Sequence, residues 1–98
     1  MKIKLGVKKI KKTNAQKLQE MCDEELWFAD GYDNAIIGLD MGRGCKVVYD
    51  YEECIKCLID EGLEPQDAYD HFHYNTLGSH IGESTPIYVW YLKDEINN

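Results

Sequence analysis

Polar and apolar residues alternate one by one at the start of the chain. In MKIKLGVKK, the lysines at positions 2 and 4 face one way, and Ile3, Leu5 and Val7 face the other. A period of two is typical of a strand with one buried face. The first nine residues therefore predict a β-strand whose lysines protect a sheet edge.

A helical spacing follows. In TNAQ, Thr13 can cap a helix and Gln16, three residues later, can reach back to it, which is the capping-box pattern. Asp30 and Gly31 provide the stop signal of the predicted helix. The apolar residues between these signals share one helical face: Ala15, Leu18, Met21 or Cys22, and Leu26.

Two short apolar runs, NAIIGLD and CKVVYD, are separated by residues 41–44, which include two glycines. Runs of this kind on both sides of a glycine turn predict an antiparallel hairpin. A phosphate-binding glycine loop is disfavoured, because such a loop needs a helix directly after its glycines and here a strand follows.

The second half of the chain predicts two helices. Asp50 and Glu53 form a capping pattern, and Gly62 marks the end of the helix that they open. Pro65 suits the first turn of the next helix. The predicted buried residues of the two helices are Tyr51, Cys54 or Ile55, Leu58 and Ile59, followed by Ala68, Tyr69 and Phe72.

A turn region and a last strand follow. Asn75 and Gly78 can adopt left-handed backbone angles and so end the third helix, and Gly78 and Gly82 are both predicted to occupy turns with positive φ. Pro86 leads into IYVWYL, which is apolar at every position. A strand with two apolar faces is predicted to lie in the centre of a sheet or to contact a partner.

These elements have the order β-α-β-β-α-α-β. A chain of 98 residues has room for one domain, so residues 1–98 are predicted to form a single small domain. The fold class is α+β, with a mixed or antiparallel sheet of about four strands and three helices.

Composition is that of an ordinary folded protein, with 30% charged and 44% hydrophobic residues. No apolar segment resembles a signal peptide or a membrane span, which predicts a cytoplasmic protein without a membrane partner. In a reducing cytosol the four cysteines are expected to be free thiols: Cys22, Cys45, Cys54 and Cys57.

Charge is distributed unevenly around a net value of −7. Residues 1–18 hold seven lysines and no acid, and residues 19–98 hold all 18 acidic side chains with only four basic ones. Such a negative surface favours a basic partner and disfavours direct nucleic-acid binding, unless the lysine-rich first 18 residues act alone. A merely solvated surface is the alternative. The candidate partner-binding residues are Asp23, Glu24, Glu25, Asp30 and Asp33.

Two sets of residues could carry chemistry. Cys54 and Cys57 share a helical face, but Glu52 and Glu53 disfavour a thiolate there. His71 and His73 point to different sides of their helix, so they do not complete a zinc site with the cysteines. We therefore expect no metal and no cofactor.

The loop before the last strand contains the residue types of a hydrolase, Ser79, His80, Glu83 and Ser84, but no recognisable nucleophile turn. We therefore expect that the protein is not an enzyme. Ligand contact is the better use of such a loop. Arg43, His80 and Glu83 are the candidate residues for a small ligand.

Several short motifs occur along the middle of the chain: DGYD at residues 30–33, AIIGL at 35–39, VYD at 48–50, I..L...G at 55–62, Ala68, YN..G at 74–78, GE at 82–83 and TP at 85–86. Together they resemble a family of small bacteriophage and prophage proteins, over residues 24–89. The lysine-rich start, the end of the chain and His80 depart from the family pattern. The resemblance implies a phage setting and no particular activity.

These observations predict a phage accessory protein that binds a host protein stoichiometrically. In this hypothesis it inhibits a host defence effector, as an anti-CRISPR protein does, by occupying a basic nucleic-acid site. One alternative is a sponge for a nucleotide immune signal, bound between subunits of a homo-oligomer. Another is a structural domain with no catalytic role.

Overall fold

The computed structural model describes residues 12–42, 44–79 and 82–92. A 3-10 turn at Asp33–Ala35 precedes the sheet, and a π-helical segment at Phe72–Leu77 continues the last helix. The α+β class is confirmed, and the strand predicted in the first nine residues lies outside the described ranges. The helices and strands are α1 (Asn14–Glu20), β1 (Ile36–Asp40), β2 (Lys46–Asp50), α2 (Tyr51–Asp60), α3 (Pro65–His71) and β3 (Ile87–Val89).

The sheet is mixed, and β2 is the middle strand of its described part. β1 pairs with β2 antiparallel, as predicted for the hairpin, and β3 pairs with β2 parallel, with Val48 opposite Ile87. The last strand was predicted to be central or to contact a partner. Among the described strands β3 lies at the edge of the sheet, and contact with a partner stays a prediction. The apolar continuation of β3 reaches solvent, since Trp90 is 71% exposed and Leu92 is 97% exposed.

The hydrophobic core forms where β2 meets the helices. Val47 and Tyr49 alternate along β2 onto its buried face, and neither side chain is accessible to solvent. Cys54 from α2 and Phe72 at the end of α3 are also fully buried. Burial of these side chains provides the main stabilisation of the fold.

Asp50 starts α2 directly after β2. Its carboxylate oxygen Oδ1 accepts hydrogen bonds from the backbone N–H groups of Glu52 at 3.0 Å and Glu53 at 3.4 Å, so the predicted N-cap is confirmed. Cys54 and Leu58 form the buried stripe of the helix, whereas Ile59, which was predicted to be buried, is 37% exposed.

The first helix is shorter than its apolar spacing predicts. Its capping box at Thr13 is confirmed, but α1 ends at Glu20. The side chain of Gln19 donates to the carbonyl of Glu24 at 2.8 Å and accepts from the N–H of Leu26 at 2.9 Å. These two bonds replace helical ones and hold a loop, from which Leu26 still reaches the core.

The third helix does not end at a left-handed residue. The π-helical segment carries right-handed backbone through Asn75 to Gly78, which has φ −81°. The predicted positive φ of Gly78 is therefore wrong, and that of Gly82 is confirmed at +107°. A side chain at Gly82 would be strained by the backbone alone.

We expect Gly82→Ala to lower the free energy of unfolding by about 1 to 2 kcal/mol, because alanine disfavours positive φ. Gly78→Ala is the matched control. Its Cβ would lie 3.6 Å from the nearest atom, the carbonyl oxygen of His73, which is ordinary contact, so stability should be unchanged or slightly higher. Urea denaturation of both variants measures the difference, and equal losses would contradict the assigned turn.

Candidate functional site

A concave surface with a cavity of about 340 Å³ opens between α2, the π-helical segment and the end of β3. We call it the aromatic pocket. Trp90, Tyr69 and Leu77 expose much of their side chains here, and contiguous exposed apolar surface marks interaction sites. The residues that line the aromatic pocket are Tyr51, Tyr69, His73, Leu77, Tyr88 and Trp90.

One wall of the aromatic pocket comes from α3 and its π-helical continuation. Tyr69, His73 and Leu77 are spaced four residues apart, which brings neighbouring turns of a helix together. The rings of Tyr69 and His73 stack with their centroids 4.1 Å apart. Phe72 points into the core instead, so this helix has one face for the core and one for the pocket.

Tyr51 forms the second wall. It is the first residue of α2, and its position is therefore fixed by the Asp50 cap. Its hydroxyl lies 2.7 Å from Nε2 of His73, and burial raises the pKa of Tyr51, so this hydroxyl stays protonated at neutral pH. The hydrogen bond joins α2 to the π-helical segment and fixes the orientation of both rings.

Trp90 forms the third wall. Its indole packs against the ring of Tyr51 with a centroid distance of 5.1 Å, and its Nε1–H donates to Oε2 of Glu52 at 3.1 Å. A carboxylate therefore lies at the edge of an otherwise aromatic surface. These groups provide ring faces and one negative charge, which are means of binding.

A second cavity, of about 290 Å³, lies between the loop before β1 and the segment that leads to β3. We call it the polar cavity. The hydroxyl of Tyr32 lies 3.1 Å from Oγ1 of Thr76, and this contact joins the loop before β1 to the π-helical segment. The lining residues are Phe28, Ala29, Asp30, Tyr32, Asn75, Thr76, Ser79, Thr85, Pro86 and Tyr88, many of them in the motifs quoted above.

Tyr88 separates the two cavities and lines both. Its ring stacks on Tyr49 with centroids 5.4 Å apart and meets Phe72 edge to face at 5.2 Å. The π-helical segment also contributes to both, with His73 on one side and Thr76 on the other. A wider π turn is often found at functional sites, and here it distributes neighbouring residues between two cavities.

The predicted partner-binding residues lie in different surroundings. Asp23, Glu24 and Glu25 are exposed on the loop that Gln19 holds after α1. The Glu24 side chain lies close to Gly44 of the hairpin turn. A Cβ atom added to Gly44 would be 3.7 Å from Oε1 of Glu24. This acidic loop is therefore beside the hairpin turn.

The other two predicted acids have different positions. Asp30 is exposed and lines the polar cavity. Asp33 accepts a hydrogen bond through Oδ1 from the backbone N–H of Ala15 at 3.2 Å, so it stabilises the first turn of α1. Of the five predicted residues, Asp33 thus has a structural role in the fold.

The predicted ligand residues are only partly within the described chain. Arg43 and His80 lie outside the described ranges. Glu83 is exposed and lines a shallow depression together with Asp40 and Lys46. The grouping of Arg43, His80 and Glu83 remains a prediction.

The cysteine pair of α2 is adapted to burial. Desolvation raises the pKa of Cys54 to about 12, and Cys57 and nearby acids, including Asp50 and Glu53, add to the effect. Burial and Glu53 also raise the pKa of Cys57. Both thiols are therefore protonated at neutral pH, in agreement with the expected effect of the neighbouring glutamates. Within the described residues no three His, Cys, Asp or Glu side chains are grouped as metal ligands.

No protein-family model, curated protein or solved structure matches this chain. None of the helices in the described ranges has the length and hydrophobicity that a membrane crossing requires. The functional evidence is therefore the geometry of the aromatic pocket and its surroundings.

Sequence patterns did not predict the aromatic pocket. They assign Tyr69 to the core of the third helix and Trp90 to a strand that is either central or in contact with a partner, and both side chains are exposed. The spacing of Tyr69, His73 and Leu77 was an available signal, because residues four apart form a second helical stripe. The contribution of Tyr51 and Trp90 to the same surface depends on tertiary structure.

The buried thiol of Cys54 predicts a loss of stability in alkali. Its pKa is about 12 in the folded protein and ordinarily 9.0, so the unfolded chain loses this proton first as the pH rises. The neutral thiol makes its full contribution to the free energy of unfolding below pH 9. This contribution falls by roughly 1 kcal/mol per pH unit between about pH 9 and 12.

We expect Cys54→Ala to flatten the fall in unfolding free energy between about pH 9 and pH 10. Val47→Ala is the control, because Val47 is equally buried and does not titrate; it should lower stability at every pH by the same amount. Chemical denaturation across this range tests the difference, and parallel profiles for all three proteins would contradict the assignment.

Proposed function

We propose that the protein binds a basic partner protein stoichiometrically, with the aromatic pocket as its contact surface, and catalyses no reaction. The observation that supports this function is an exposed aromatic concavity with Glu52 at its edge, on a chain with net charge −7. Exposed aromatic surface and negative charge are complementary to a partner that is both basic and partly apolar.

The aromatic pocket has the composition of a binding hot spot. Tryptophan and tyrosine contribute large contact areas with few rotatable bonds, and they dominate the energetics of many interfaces. The Tyr51–His73 and Trp90–Glu52 hydrogen bonds hold the rings before binding. Such preorganisation reduces the entropy that association would cost.

The acidic loop supplies the long-range part of recognition. Asp23, Glu24 and Glu25 are exposed on a loop that the two hydrogen bonds of Gln19 keep in place. Charges outside the contact surface accelerate encounter with an oppositely charged partner, and salt weakens this effect over about 8 to 10 Å. The acidic loop therefore raises the rate of encounter with the partner, although its residues do not line the aromatic pocket.

The sequence resemblance to small phage proteins supplies the biological setting of this proposal. The protein is then a phage accessory protein acting in the cytoplasm of the host. Its partner is a host defence effector whose basic nucleic-acid site becomes occupied, as with anti-CRISPR proteins. The acidic charge of the chain supports competition with nucleic acid rather than contact with it.

The nucleotide-sponge alternative has less support. The described linings of the aromatic pocket and the polar cavity include no lysine or arginine. An anionic phosphate would meet Asp30 in the polar cavity, and no lysine or arginine among the described lining residues would compensate its charge. The described geometry therefore favours a cationic partner.

The proposal can be tested by expressing the protein in a panel of bacterial strains, each of which carries one nucleic-acid-targeting defence system. We expect an infecting phage to regain plaque formation in at least one strain, and the purified effector of that strain to bind the protein one to one. Replacing Asp23, Glu24 and Glu25 by lysine should slow association about tenfold or more at low salt, because it removes electrostatic steering.

The matched control replaces Asp60, Glu61 and Glu64 by lysine. These acids are exposed at the end of α2 and in the turn to α3, and the change alters net charge by the same amount. Association should slow less than with the acidic-loop variant, and thermal melts should show both variants folded. If both variants slow association equally, net charge alone explains the effect. An association rate that depends neither on salt nor on either set of substitutions would contradict electrostatic steering.

A further inference from the structure

We propose that Cys22 and Cys45 form an intramolecular disulfide when the folded protein meets a small-molecule disulfide such as oxidised glutathione. The disulfide joins the acidic loop to the start of β2. Neither cysteine lines the aromatic pocket or the polar cavity, so this modification site is separate from the candidate binding surface and does not depend on the proposed function.

The two thiols are neighbours in the folded chain. The side chains of Cys22 and Cys45 are hydrogen-bonded to each other. Cys22 comes directly after Met21, the C-cap of α1, and Cys45 directly precedes Lys46, the first residue of β2. Both side chains are partly buried and pack against the same hydrophobic core. A disulfide therefore needs only a closer approach of two adjacent sulfur atoms.

The backbone near the pair is held in place. The N–H of Cys22 donates to the carbonyl of Gln19 at 3.2 Å, and the side chain of Gln19 binds the backbone of Glu24 and Leu26. The Glu24 side chain lies close to Gly44, so the acidic loop and the hairpin turn meet at a second point, beside the thiols. This fixed geometry gives each thiol a high effective concentration at the other.

The cysteine pair of α2 is less suited to a disulfide. Cys54 is fully buried, and Cys57 is three positions further along the same helix. Cβ atoms at this helical spacing are about 5 to 6 Å apart, whereas a disulfide requires about 3.5 to 4.5 Å. A bond there would distort the helix, and so Cys22 and Cys45 are the pair that the fold selects among the four cysteines.

The exchange with oxidised glutathione proceeds in two steps. The thiolate of one cysteine attacks a glutathione sulfur, so a mixed disulfide forms, and one glutathione thiolate leaves and takes up a proton. The thiolate of the other cysteine then attacks the protein sulfur of the mixed disulfide, and the second glutathione leaves as a thiol. Two protein thiols are thereby oxidised, and one glutathione disulfide is reduced to two thiols.

The surroundings of the pair make this exchange slow. The hydrogen bond with Cys22 and then burial raise the pKa of Cys45 to about 11, and the charges of Glu24 and Asp23 add to the effect. Because the thiolate is the reactive form, a raised pKa slows attack at neutral pH. A reducing cytosol keeps both cysteines as thiols, so the disulfide forms under sustained oxidising conditions and reductants reverse it.

The sequence allows the disulfide to be identified directly. Cleavage after lysine and arginine places each cysteine in a different peptide, and these peptides are residues 18–43, 44–46, 47–56 and 57–93. The full chain is incubated with oxidised and reduced glutathione at about pH 8, near the ordinary pKa of a thiol. Remaining thiols are then alkylated and the peptides analysed by mass spectrometry. We expect peptides 18–43 and 44–46 to be joined, and Cys54 and Cys57 to be alkylated.

Oxidation should also raise the melting temperature of the protein, by about 5 °C or more, because the cross-link restricts the unfolded chain. Reduction with dithiothreitol should reverse the rise. Cys22→Ser and Cys45→Ser should each abolish both the linkage and the rise. Cys57→Ser is the matched control, because it removes a partly buried thiol outside the pair and should retain both.

A comparison with unfolded protein tests whether the fold selects the pair. In concentrated urea the apparent equilibrium constant for oxidation of Cys22 and Cys45 by glutathione should be at least about tenfold lower, because the thiols are no longer held together. Equal constants in the folded and unfolded chains would overturn the proposal. So would a linkage to Cys54 or Cys57, a linked product with the mass of two chains, or glutathione adducts that never close to a disulfide. Correct linkage without a rise in melting temperature would contradict a disulfide that fits the folded structure.

Discussion

Burial of Tyr49 in the middle strand is the interaction on which the rest of the structure depends. Its side chain is fully buried, and its hydroxyl accepts a hydrogen bond from the backbone N–H of Ala29 at 2.7 Å. Because a buried hydroxyl without a partner would be costly, this bond fixes the loop before β1. The ring also stacks on Tyr88. Tyr49 therefore connects the sheet, the loop before β1 and the residue that separates the two cavities.

Local signals predicted those elements whose ends are determined by a few neighbouring atoms. The caps at Thr13 and Asp50 and the glycine turn of the hairpin are of this kind, since the side chain and the N–H groups that it binds are close in sequence. The length of α1 was not predictable in this way. Gln19 contacts backbone five and seven residues ahead, and an apolar spacing that extends to Leu26 is the same whether that residue lies on a helix or a loop.

Hydrophobic pattern alone cannot distinguish a buried strand from an exposed binding surface, because both are rich in the same residues. IYVWYL was predicted to be a central strand or to contact a partner, and its last three residues are exposed. The deciding factor is the position of β3 beside β2, which places Trp90 next to Tyr51. Tertiary structure of this kind combines residues that are distant in sequence, such as Tyr51 and Trp90, and the candidate site was missed for that reason.

The acidic loop and the aromatic pocket would contribute to binding in different ways. Charges act over several ångströms and mainly affect how often partners meet, whereas ring contacts act only at touching distance and mainly affect how long they stay together. Because the acidic loop and the aromatic pocket consist of different residues, the association rate and the lifetime of the complex can change independently. A protein that must compete with nucleic acid for a basic site benefits from both.

The parallel pairing of β2 with β3 has a consequence for the order of folding. The hairpin and the helices form between residues close in sequence, but Val48 must meet Ile87 across the whole of α2 and α3. Closing a long loop costs entropy before its contacts are made, so distant strand pairing tends to be slow. Tyr88 and Trp90 reach the aromatic pocket only with this step, and we expect the binding surface to be completed last, after most of the core has formed.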